Sequence, residues 1–133
     1  MANEATCIET PTKFARYTVA DGTGIAIGTV LKLSADNTAI ASSADNDVFA
    51  GIAWEEKTAS DGITEITAAL DGVWDMTDSG SGITLGAVCN VGGANLIVAS
   101  AAADLLTGSV VGKVLETTSA SEVVRVRVGG VVA

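Results

Sequence analysis

Asp71, Asp75 and Asp78 flank Trp74. Carboxyl groups beside an aromatic ring are the materials of sugar binding and glycoside hydrolysis, where one acid protonates the leaving oxygen and another stabilises the cation. Asp71-Gly72 is equally a tight-turn sequence, and a lone Trp among valines ordinarily belongs to a core or an interface. Asp45-Asn46-Asp47 offers oxygens to Ca²⁺ but lacks the terminal Glu of a calcium-binding loop, so a solvated turn is the preferred reading. Glu55-Glu56-Lys57 reads as an exposed strand end. The chain has no histidine, which removes the commonest general base and metal ligand and any Ser-His or Cys-His nucleophile. It carries no phosphate-binding glycine loop and no C-x-x-C pair. Cys7 and Cys89 stand apart and read as free thiols, a bridge between them being the alternative. The inventory points away from an enzyme and calls for no metal and no cofactor.

What must hold these residues in place is written twice. GIAIGTVLKLSADNTAIASSA (residues 24–44) returns as GITLGAVCNVGGANLIVASAA (residues 82–102) at a constant offset of 58. Eight pairs are identical: Gly24/Gly82, Ile25/Ile83, Gly28/Gly86, Val30/Val88, Asn37/Asn95, Ala41/Ala99, Ser42/Ser100 and Ala44/Ala102. Ile27/Leu85, Leu33/Val91 and Ile40/Val98 are conservative. The shared residues are glycines, aliphatics and small polar groups, so the repeated property is architecture.

The composition is rich in Ala, Val, Gly, Thr and Ser, with one proline and five aromatics, and β-branched residues favour strands. At 133 residues the chain reads as one domain with two related halves. A net charge of −9, with seven scattered basic residues, argues against nucleic acid and anionic membranes as partners. The uncharged run 79–103 is interrupted by glycines and asparagines and does not read as a membrane span. MANEATCIETPTK has no apolar segment of the kind that leads secretion.

Residues 1–16 are polar, show no periodicity, contain Pro11, and read as an extended N-terminal arm ahead of a β domain over 17–133. Strands are expected at 16–20, 29–33, 38–42, 48–55, 63–70, 73–76, 87–91, 96–100, 109–115 and 122–128, with a helical turn at 101–106. Gly51 marks a bulge or a close contact. In the last strand Val124, Val126 and Val128 share one face, and Arg125 and Arg127 the other. The expected fold is all-β, a small barrel or sandwich to which each half contributes a similar hairpin. Trp54 and Trp74 are either core residues or interface anchors.

TVADGTGIAIGTVLKL (18–33), FAGIAWEE (49–56), ITAALDGVWDM (66–76) and ITLGAVCNV (83–91) give the chain its likeness to known proteins. It resembles the small capsid decoration, or cement, proteins of tailed bacteriophages. The resemblance implies a β-rich virion protein, made in the host cytoplasm, that binds the major capsid protein on the outer shell surface and stabilises it. It implies a homo-oligomer, a trimer above all, and an N-terminal arm that touches the shell. Expected contact residues are Pro11, Lys13, Phe14 and Arg16 of the arm, then Trp54, Trp74, Arg125 and Arg127. The alternative is a carbohydrate-binding or adhesive β-module built on the tryptophans and neighbouring acids.

Overall fold

The computed structural model describes residues 3–80, 82–119 and 121–129. Met1 and Ala2 of the expected arm, and residues 130–133 of the expected domain, lie outside them. Eleven strands are present among the described residues: β1 (Thr6–Glu9), β2 (Phe14–Thr18), β3 (Val30–Ala35), β4 (Thr38–Ala41), β5 (Phe49–Ala53), β6 (Glu65–Ala69), β7 (Gly72–Asp78), β8 (Val88–Gly93), β9 (Leu96–Ala99), β10 (Val110–Val114) and β11 (Val123–Val128). A 3-10 turn, Ala102–Leu106, is the one helical element described.

The chain is all-β with two related halves, and each half closes a ring of its own. Barrel 1 runs β2-β4-β3-β5-β6 and back to β2. Barrel 2 runs β7-β9-β8-β10-β11 and back to β7. The repeat therefore extends beyond the matching segment, and the expectation that two hairpins share one barrel gives way to two barrels. Both rings close through the same unusual step, a parallel contact: β2 with β4 at Thr18 and Thr38, and β7 with β9 at Thr77 and Leu96. Loop bonds repeat as well. Leu33 N–H donates to Val48 O and Val91 N–H to Ser109 O; Val19 N–H donates to Thr64 O and Asp78 N–H to Glu122 O.

Residues 3–16 are not a separate arm. β1 lies antiparallel on β7, with Thr6 opposite Asp75 and Cys7 opposite Trp74, so it joins barrel 2 before the chain enters barrel 1. Ala5 N–H donates to Gly28 O of barrel 1, which makes this segment a strap across both barrels. The expected boundary at residue 16 falls inside β2. The physical reason is that an extended polar segment satisfies its backbone groups best by adding to a sheet edge.

Barrel 1 is filled by Val19, Ile25, Leu31 and Ile66 together with four alanines, Ala39, Ala50, Ala53 and Ala68. Alanines suit the narrow interior of a five-stranded ring. Barrel 2 is filled by Met76, Cys89, Val91, Ile97, Val111, Val114, Val124 and Val126, and its core continues outward to Val30, Ile52 and Ala69 of barrel 1. The barrels thus share apolar contact. Between them runs a polar clasp: Asn95 Oδ1 accepts the Val30 N–H at 2.8 Å, the Ser42 hydroxyl accepts the Asn95 N–H at 3.1 Å, and that hydroxyl donates to Gly93 O at 2.9 Å.

Lys57 is buried, contrary to the exposed strand end expected of it. Its ammonium donates to Asp21 O, Thr58 O and Asp61 Oδ1 at 2.8, 3.2 and 3.0 Å. A single charge thereby ties two loops, which the neighbouring glutamates had concealed in the sequence.

Candidate partner-binding surface

The strap positions the first group of expected contact residues. Pro11 is buried against Gly72. Gly72 has φ of +99°, and a Cβ there would lie 2.8 Å from Glu9 O. Burial alone would raise the Asp71 carboxyl. Hydrogen bonds from Thr12 Oγ1, Thr12 N–H and Lys13 N–H, at 2.6, 2.7 and 3.1 Å, outweigh that effect and hold it below its ordinary value. The Asp71 carbonyl accepts the Trp74 indole N–H at 3.0 Å.

Phe14, Trp54 and Trp74 come together. The Phe14 and Trp54 centroids are 5.6 Å apart, tilted by 52°, and those of Trp54 and Trp74 are 5.9 Å apart at 80°. Trp74 is a core residue, Trp54 is half-buried, and Phe14 is exposed. Trp54, the edge of Trp74, Ile27, Gly28 and residues 4–7 line a cleft of about 350 Å³ between the barrels. The wall formed by residues 4–7 and Ile27 was not foreseen; the signal available was Ile27/Leu85, an aliphatic kept in both copies and exposed in both.

The basic residues divide into two groups. Arg16 pairs with Glu55 and Glu65 and donates to Thr67 Oγ1; Arg125 pairs with Asp75. Lys32 pairs with Asp47, and Lys57 with Asp21 and Asp61. Among the described residues Lys13, Lys113 and Arg127 form no salt bridge, although the Lys13 charge helps to hold the Asp71 carboxyl low. Lys113 faces Arg127 across β10 and β11, while Arg127 and Lys13 line one cleft of about 400 Å³ with Glu9 and Asp71 on it as well. The eight expected contact residues therefore form no single patch: Trp54 and Trp74 share one cleft with Phe14 packed on Trp54, Lys13 and Arg127 share another, Pro11 is buried, and Arg16 and Arg125 are engaged in ion pairs.

The candidate acids are each held by neighbouring groups. Asp75 serves Arg125, and buried Asp78 accepts from Gly80 N–H, Gly82 N–H and the Thr118 hydroxyl. In the Asp45-Asn46-Asp47 segment, burial would raise the Asp47 carboxyl, but the Ser43 and Ala44 N–H groups and Lys32 prevail and lower it. No cluster able to hold a metal ion is present among the described residues. Cys7 and Cys89 are unpaired; burial raises both thiols, Cys89 to about 12, which removes thiolate character at neutral pH.

Two further carboxyls are held low, Asp61 by the Ile63 N–H and then Lys57, and Glu122 by the Ser119 N–H. Asp47, Asp61, Asp71 and Glu122 thus all bind protons less readily folded than unfolded. Their contribution to stability is complete above the unfolded carboxyl range, near about pH 4, and is lost as pH falls through their folded values. A urea midpoint lower at about pH 3 than at about pH 7 is expected; equal midpoints would contradict these bonds.

No protein-family profile and no curated protein matches this sequence. Among solved structures, the chain is similar to the N base of the head fibre gp8.5 of bacteriophage phi29, with a TM-score of 0.55 and 17% identity over 88% of this chain and 95% of that one. The two proteins share a fold over nearly the whole of both chains.

Proposed function

We propose that this chain is a structural protein of a phage virion, carried outside the head, where it binds the major capsid protein and stabilises the shell. The observation that carries the reading is the end-to-end similarity of fold to a phage head-fibre base. The state of the acids supports it too: every carboxylate beside Trp74 is occupied by a structural hydrogen bond or ion pair. That favours a binding role over turnover. Phe14, Trp54 and Ile27 offer apolar contact, and Lys13 and Arg127 offer cations that form no salt bridge within the described residues, Lys13 acting only through space on Asp71.

Such a role needs no chemistry. A protein that binds the intact shell and not the disrupted one shifts the balance toward the intact shell by mass action. Many copies on a repeating lattice convert modest affinity per copy into a large total effect.

Antibody labelling of intact virions tests the location. Label on the head exterior is the expected result. Label confined to the tail, or labelling that requires ruptured heads, would overturn the reading.

A further inference from the structure

The contact between the two barrels is head to tail. On barrel 1 it uses Val30 and Ser42; on barrel 2 it uses the β8–β9 turn, with Asn95 and Gly93. A two-fold contact would use each patch twice, so that Asn37, in the matching β3–β4 turn, would hold Val88 and Ser100. It does not. Asn37 is exposed, and its amide makes no hydrogen bond among the described residues. The Ser100 hydroxyl donates only to the adjacent Ala101 O. Each chain therefore presents an unused turn patch on barrel 1 and an unused acceptor face on barrel 2.

These unused patches match each other because of the duplication. Of the eight identities in the repeat, three are the clasp residues: Val30/Val88, Asn37/Asn95 and Ser42/Ser100. Asn37 and Asn95 also share the left-handed backbone, with φ of 51° and 60°. A turn alone would account for the asparagines, since Asn and Gly both suit that conformation. It does not account for Ser100, whose partner Ser42 spends its hydroxyl on the clasp.

We infer that copies of this chain associate head to tail, with Asn37 of one copy engaging Val88 and Ser100 of the next as Asn95 engages Val30 and Ser42 within the chain. The flanks fit. Leu33, the counterpart of fully buried Val91, is 38% exposed, and Leu105, in the turn that replaces the 43–48 loop, is 48% exposed. Repeating the seam geometry brings these two regions together. The contact is weaker than the seam, because Lys113 and Arg127 stand where barrel 1 has Ile52 and Ala69. Repetition of a head-to-tail contact gives a ring if the rotation closes and a filament if it does not. The inference goes beyond the virion role and stands without it.

Sedimentation velocity across a concentration series tests it on the full chain. The wild type is expected to assemble reversibly. Asn37→Gly combined with Ser100→Ala keeps the turn conformation while removing the clasp groups, and should weaken association by about tenfold or more with unchanged circular dichroism. Leu105→Asp, at an exposed position, should do the same and serves if the double variant misfolds. Asn95→Gly should instead lower stability of the single chain and leave the association contact intact. A wild type that stays monomeric throughout, or assembly unchanged by both Asn37→Gly/Ser100→Ala and Leu105→Asp, would overturn the inference.

Discussion

Gly112→Ala should destabilise the protein by about 3 kcal/mol or more, and lower its melting temperature by roughly 10 °C. A Cβ at Gly112 would land on the Arg127 carbonyl oxygen and within 3.0 Å of the Val128 Cα, both in the neighbouring strand β11. These are backbone atoms, so β10 and β11 would have to separate, and that opens the barrel 2 ring. The same place in barrel 1 is Gly51, paired with Leu31 as Gly112 is with Cys89, beside a register shift in both strands. Gly51 has φ of +141°, and a Cβ would sit 2.8 Å from Ala69 O, so Gly51→Ala should also destabilise. Gly22 supplies the contrast: nothing lies within 4 Å of its Cβ position, and Gly22→Ala should be close to neutral. Thermal unfolding of the three variants checks the order. Comparable losses at Gly112 and Gly22 would refute the steric account.

Lys57→Met should cost about 2–4 kcal/mol, by the rule that removing one partner of a buried ion pair leaves uncompensated groups behind. The methionine keeps the apolar stem and removes the ammonium, whose side chain is 1% exposed. Asp21 O and Thr58 O lose their donor, and Asp61 loses its cation. The upper end of the range is not expected, because Asp21 is 44% exposed and water can replace part of what it loses. Barrel 2 uses a different device at the same point. Lys57 bridges to Ile25 and Thr118 to Ile83, and the Thr118 hydroxyl donates to buried Asp78 at 2.7 Å. Thr118→Val removes one charge-assisted bond and should cost less than Lys57→Met. Urea unfolding of both variants measures the difference.

Ten of the eleven strands were legible because short β-branched runs alternate between turn signals, and the repeat fixed the second half from the first. β11 is the clearest case: Val124, Val126 and Val128 are buried, while Val123 and both arginines are exposed. β1 was not legible. Thr-Cys-Ile-Glu is short, lacks alternation, and its partner β7 begins at Gly72, so nothing local announces the pairing. Closure of two rings was hidden for the same reason, since the parallel contacts of β2 with β4 and β7 with β9 leave no local mark. Local composition also misplaced Lys57, which is held by nearby Asp61 together with Asp21, the latter 36 residues earlier in the chain. The expected contact residues were scattered by the fold: Trp74 went to the core, and Arg16 and Arg125 to equivalent outer faces of the two barrels.

The role on the shell is tested most directly by co-sedimentation of the purified protein with expanded, undecorated heads of the phage that encodes it. The account predicts saturable binding at a fixed ratio to capsid subunits, weakened by charge reversal at Lys13 and Arg127 and by Trp54→Ala. Folded wild-type protein that stays in the supernatant at every concentration, with intact heads in the pellet, would contradict it.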